Sequence, residues 1–262
     1  MKKVIHNLKI PKATNYEKFF LKRGFKWLIN ASKTKVSQKI KMVKEETHLP
    51  ILKDLYFLYQ LIILNKRTMV LEYGCGWSTL VMHLALIENE KKFKNKTFSK
   101  CINPFDLFCV DNLKKFMVIS KKRINKLSKN PKRVKFFYSE SKMTKFNNRY
   151  CTEYTNHPLC NPDLIYIDGP SKRSIKNKID NFTINHNAMM PMVCDVLKFE
   201  HFLTPGTIIV TDGRTANARF LKSNFQRNWE HFHLDASDHN LFYLNESPLG
   251  KWNKEQLKFY KN

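Results

Sequence analysis

The stretch Val70-Leu71-Glu72-Tyr73-Gly74-Cys75-Gly76-Trp77-Ser78-Thr79-Leu80 decides how the rest of the chain is read. An apolar run, 68–74, enters a turn punctuated by two glycines and leaves it as a helical pattern from Ser78 to Leu86. Strand, glycine turn and helix in that order are the opening of a βαβ unit. Four further apolar runs follow it at 106–111, 134–140, 162–169 and 204–213. Helical patterns separate most of them, over 114–127 and 187–203, with another at 216–229. The segments 231–235 and 241–246 close the chain as a strand pair. Nearly continuous apolar strands alternating with helices indicate a parallel sheet covered on both faces, hence a doubly wound α/β fold.

Towards the amino terminus, Leu49–Leu64 reads as a helix with Pro50 in its first turn, where a missing N–H costs nothing. Before it lies a basic helical extension, residues 1–48, leaving 49–262 as the main domain. Residues 1–45 carry thirteen Lys/Arg against two Glu, part of a formal net charge of +25 in 262 residues. Such a field attracts polyanions: nucleic acid, anionic lipid or acidic polysaccharide. The same bias towards Lys and Asn runs through the whole chain, and Phe19, Phe20, Phe25 and Trp27 give the extension an apolar face. No stretch approaches the ~20 apolar residues that span a bilayer, and the first ten residues lack the apolar run of a secretory signal. The six cysteines show neither a CxxC pair nor zinc-like spacing. Reduced thiols and a cytoplasmic setting are expected.

Acids are scarce, 22 in all, yet one falls at or near the end of each of the first five strands: Glu72, Asp111, Glu140, Asp168 and Asp212. Glycines number seven, where roughly eighteen would be usual. Gly74, Gly76, Gly169, Gly206 and Gly213 neighbour those acids, and only Gly24 and Gly250 fall elsewhere. Ligands of open α/β sheets bind outside the carboxyl ends of the strands, so this edge is the expected site. Thr79 stands where a dinucleotide fingerprint has its third glycine, and Glu72 before the loop suits a ligand bearing an ammonium group.

The segment V-L-E-Y-G-C-G-W-S-T-L resembles the first motif of class I S-adenosylmethionine-dependent methyltransferases. F-C-V-D-N, F-Y-S-E-S, D-L-I-Y-I-D-G-P and L-T-P-G-T-I-I-V-T-D-G-R follow in the family's order, so the resemblance covers residues 65–246. The last two segments also resemble a poorly characterised bacterial subgroup. It implies a Rossmann-like, mostly parallel seven-stranded sheet and S-adenosyl-L-methionine as cofactor. By matching position, Gly74, Cys75, Gly76 and Ser78 would pass the methionine moiety, with Glu72 orienting its ammonium. Asp111 would accept the ribose hydroxyls, and Asn112 and Glu140 would lie near the adenine. Asp168 and Asp212 resemble the acid pair that binds Mg2+ in metal-dependent O-methyltransferases, although Gly213 stands where those enzymes commonly have Asn. Without metal either acid is a candidate base, with Arg214 positioning an anionic or hydroxyl-rich acceptor.

His201, beside Glu200, is expected to be structural, and His231, His233 and His239 show no ligand spacing. The expected activity is O-methylation of a small-molecule or glycan acceptor. Two alternatives stand beside it: a nucleic-acid methyltransferase, and a non-catalytic polyanion-binding protein on a degenerate methyltransferase scaffold. No N/D-P-P-Y/F segment supports the first of these.

Overall fold

In the computed structural model, residues 8–34, 48–96, 104–235 and 237–261 are described. Cys101, most of the Lys-rich loop after Phe93, and residues 1–7 and 35–45 of the basic extension lie outside them. One seven-stranded sheet organises the chain, in the order β3-β2-β1-β6-β7-β9-β8. Its strands are β1 Val70–Tyr73, β2 Leu107–Asp111, β3 Val134–Tyr138, β6 Leu164–Ile167, β7 Ile208–Asp212, β8 Trp229–Leu234 and β9 His239–Leu244. All neighbours are parallel except β9, which runs against both β7 and β8. The doubly wound, Rossmann-like α/β class expected from the sequence is therefore the fold. The order reverses direction beside β1, between β2 and β6. Such a switch point leaves a crevice at the carboxyl ends of the strands.

Both faces of the sheet are covered. Helices α1 (Tyr16–Lys22), α2 (Lys26–Ser32), α3 (Leu52–Leu64), α4 (Trp77–Phe93) and α5 (Lys114–Leu127) belong to one layer. In it Phe20, Leu28, Leu58, Leu61, Leu80 and Met82 are fully buried. Helices α6 (Asp195–Phe199) and α7 (Thr215–Asn224) bury Val196, Leu197, Ala218 and Leu221 on the other face. The basic extension thus supplies core: Phe20, Leu28 and Ile29 share one apolar cluster with α3 and α4. Asn65 fastens the strand-like lead to α3 by accepting from Lys9 N and donating to Lys9 O, both at 2.8 Å. Helix α8 (Gly250–Lys261) ends the chain under the amino edge of the sheet.

Two departures from the sequence reading bear on the site. The polar stretch after the third strand is a hairpin, β4 (Ser141–Phe146) and β5 (Arg149–Tyr154). Asn147 and Asn148 both take positive φ there, at 48° and 59°, the conformation of a two-residue turn that Asn tolerates. The helix expected over 187–203 shrinks to α6 and a short 3-10 turn, Glu200–Phe202. Met192 and Cys194 instead bond the backbone of Thr152, so Val193 runs alongside the hairpin. Pro191, which has no N–H to give a helix, sits just before this pairing.

Candidate active site

The crevice opens as a cavity of about 980 Å³ whose walls include Gly74, Cys75, Gly76, Ser78, Asp111, Asp168, Asp212 and Arg214. Ligand pockets run to roughly 1,000 Å³. Eight of the eleven residues singled out from the sequence therefore converge on one space. Glu72, Asn112 and Glu140 do not line it.

The first loop is built by contacts the sequence only hints at. Gly74 has φ +95°, and a Cβ there would stand 2.6 Å from Gly169 N. A Cβ on Gly169 would in turn meet Tyr154 Oη at 2.2 Å and Gly74 N at 2.9 Å. These two glycines exist to let two loops touch. Gly76 differs: its φ is extended, and a Cβ would meet only Ser78 Oγ at 3.8 Å, so its free space belongs to the cavity. Thr79 replaces the third glycine for a local reason. Its Oγ1 accepts Gly76 N at 2.9 Å, capping the first turn of α4. Gly206 corrects the sequence map. It lies at the amino end of β7, opposite the cavity, where a Cβ would strike Leu257 of α8 at 2.5 Å.

Glu72 is wholly buried behind the loop. Its Oε1 accepts Ser78 Oγ at 2.5 Å, while Oε2 has no partner. Burial pushes the carboxyl up to about 8, against the pull of the Ser78, Thr79 and Cys109 side chains. Asp111 accepts Cys75 N through Oδ2 and Leu113 N through Oδ1, each at 2.7 Å. The Cys75 thiol and the Asn112 N–H also face this carboxylate. Burial raises this acid too, opposed by those backbone N–H groups. Asn112 is a strut: its Nδ2 donates to Ser171 O and Ser174 Oγ, and its Oδ1 accepts Ser171 N at 3.3 Å. Glu140 is exposed, two residues past β3, and its carbonyl accepts Thr155 N.

Arg214 is already engaged. It donates to the carbonyls of Asp168 and Gly169 and stands 3.5 Å from Asp168 Oδ1, tying the β7 loop to the β6 loop. Burial raises Asp168 to about 7; Arg214 opposes the shift and Asp212 adds to it. The open part of that carboxyl, 43% of its side chain, belongs to the cavity wall.

Two residues that sequence reasoning passed over complete this end. Asp54, from α3, lines the cavity with Asp168 and Asp212. Burial, then Asp212, raises it to about 6. His239 is fully buried, with Nε2 3.5 Å from Asp212 Oδ1 and its ring stacked on Phe57 at 4.4 Å. Burial pulls this imidazole below its ordinary range while Asp212 pulls the other way. The ladder sets Asp212 directly opposite His239. His201, expected to be structural, is exposed beside Gln226, and His231 faces Asn240 within the β8–β9 pair.

The residues do not fit a bound Mg2+. Among the described residues no three His, Cys, Asp or Glu side chains are grouped to hold an ion. Asp168 faces a guanidinium and Asp212 an imidazole, so the expected metal pair has other partners.

No protein-family model and no curated protein matches the chain. Solved structures do. A Podospora anserina methyltransferase with bound SAH is 10% identical, over 90% of this chain and 100% of that one, with a TM-score of 0.45. Several of the solved structures this chain is similar to are methyltransferases. One from Geobacter sulfurreducens is 11% identical over 89% and 98% of the two chains, with a TM-score of 0.48. An O-methyltransferase from Bacillus cereus in complex with SAH is 14% identical over 92% and 94%, with a TM-score of 0.39. The likeness is one of fold.

Proposed function

We propose that the chain is an S-adenosylmethionine-dependent methyltransferase acting on an oxygen of a small, hydroxyl-rich acceptor. One observation carries the reading: the unpartnered, fully buried Oε2 of Glu72 behind a loop whose Gly76 leaves space towards the cavity. A buried carboxylate oxygen without a donor is costly, and a ligand ammonium, directly or through water, supplies one. Gly74, Cys75, Gly76 and Ser78 would hold the methionine end and Asp111 the ribose. Asn112 fixes the 171–174 loop that forms part of the opposite wall. When bound, this cofactor supplies a methyl group on a positively charged sulfur, open to in-line attack. The chain's own part is to align the acceptor, which supplies ~7–11 kcal/mol in well-oriented reactions, and to take its proton.

Asp212 is the proton-accepting group in this reading. Asp168 is held by Arg214, whereas Asp212 faces the buried imidazole of His239 and, among the described residues, carries no cation. Asp54 stands nearby as a second carboxyl for the acceptor's hydroxyls. The test is methyl transfer from labelled S-adenosylmethionine into pools of small phenols, monosaccharides and RNA, each with and without chelator. Labelling of a small hydroxylated pool, unaffected by chelator and lost in Asp212→Asn, is expected. Labelling of RNA alone overturns the acceptor assignment, and loss of activity on chelation overturns the metal-free base.

A further inference from the structure

Between Asp111 and Glu140 the sequence holds eight lysines, two arginines and no acid. Most of this stretch is α5 and the edge strand β3, and the fold sorts its cations by type. Both arginines turn inward. Arg123 lies 4.0 Å over the Trp77 ring, and Arg133 pairs with Glu90 at 2.5 Å and Asp106 at 3.1 Å. The lysines turn outward. Lys114, Lys115, Lys121, Lys122 and Lys126 are exposed on α5 while Ser120 and Ile124 are buried, the division that a 3.6-residue period imposes. Lys129, Lys132 and Lys135 continue the exposed series beyond the helix. Among the described residues no salt bridge forms at Lys121, Lys122, Lys126, Lys129 or Lys132. A compositional bias adds lysine everywhere; it does not clear acids from one face and withdraw the arginines from it.

We propose that this α5–β3 face docks on an anionic phospholipid surface. The absence of outward arginine decides between polyanions. Recognition of individual phosphates favours the guanidinium fork, and single-stranded nucleic acid favours aromatic platforms among the cations. This helix face offers neither. Its one exposed apolar side chain is Val118, and the exposed aromatics of β3, Phe137 and Tyr138, are already engaged, by the Phe108 ring at 6.0 Å and by Lys114 at 4.6 Å. Hydrated point charges in a row about 20 Å long suit a diffuse field, in which each lysine near the membrane strengthens binding about fivefold. No helix among the described residues is long and apolar enough to cross a membrane, so the contact is peripheral. Leu113 and Phe116, at the start of α5, line the active-site cavity, so its rim lies beside the docked face.

The test is co-sedimentation of the full chain with phosphatidylcholine vesicles containing one-third phosphatidylglycerol, and with pure phosphatidylcholine. Binding only to the anionic vesicles, weakening steeply with salt, is expected. Changing Lys121, Lys122 and Lys126 together to Gln should lower affinity by roughly a hundredfold with an unchanged melting temperature. A matched triple on α8, Lys251→Gln, Lys254→Gln and Lys258→Gln, should lower it far less. Equal losses in the two triples would reduce the effect to net charge and overturn the docking face. So would equal binding to neutral vesicles, or tight binding of an oligouridylate by a chain that ignores both vesicle types.

Discussion

At the scale of single residues, the two glycines of the first loop separate architecture from ligand space. Gly74→Ala adds a Cβ at positive φ against the backbone of Gly169, combining left-handed strain with overpacking. A loss of at least about 2 kcal/mol is expected, read as a fall in the denaturation midpoint. Gly76→Ala should leave that midpoint within error while weakening S-adenosylmethionine binding tenfold or more. Glu72 gives the pH dependence its sign. Its carboxyl, pushed up to about 8, holds a proton in the fold that the unfolded chain releases near its ordinary value. Stability of the free protein therefore declines as pH rises from about 4 through 8. Cofactor affinity moves the opposite way, rising up to tenfold per pH unit between about 6 and 8, because only the carboxylate pairs with an ammonium. Glu72→Gln should abolish that rise in calorimetric titrations.

The acids were readable in the sequence because they are scarce and fall at strand ends. Scarcity does not by itself mark the site, since Asp163 lies at the opposite edge as a structural hub. It accepts Thr68 N and Oγ1, Met69 N and Tyr260 Oη. Asp54 and His239 were hidden for another reason. Each acquires its place only when α3 and β9 pack beside β7, and no local spacing announces that.

Among elements, the parallel strands were legible and the hairpin was not. Strands buried on both faces are apolar throughout, whereas β4 sets exposed Lys142 and Lys145 around buried Met143, and β5 buries Thr152 and Glu153 beside Cys151. Asn147-Asn148 was the available signal, a turn pair that accepts positive φ. Asn148→Gly should stabilise the chain by a few tenths of a kcal/mol up to about 1, raising the melting temperature by roughly 1–4 °C. A fall would mean that the Asn148 side chain holds the turn by itself. The hairpin matters to the site because it carries Tyr154 beneath Gly169 and supports the 171–193 segment. Asn177, for example, donates to Met143 O at 3.0 Å and accepts Met143 N at 2.8 Å. The misplaced helix at 187–203 has the same origin. Its apolar residues satisfy a helical period, but Val193 pairs with Thr152 instead.

For the whole molecule, the basic amino-terminal extension and the main sheet share one core. Its aromatic face was legible; that this face completes the layer over α3 was not, because the pairing is between distant segments. Trp27 stacks on Trp77 at 6.1 Å, so the extension braces the residue that begins α4. A chain starting at His48 would uncover Leu55, Tyr56 and Leu58. It should lose its cooperative thermal transition; a truncated chain melting like the parent would show a dispensable arm. In the proposed function the switch-point cavity holds a cofactor that is a sulfonium amino acid. Calorimetric titration of the intact chain with S-adenosylmethionine tests it most directly. One site per chain is expected, lost in Asp111→Ala at a retained melting temperature. Absence of heat with the parent, or identical binding by Asp111→Ala, would contradict it.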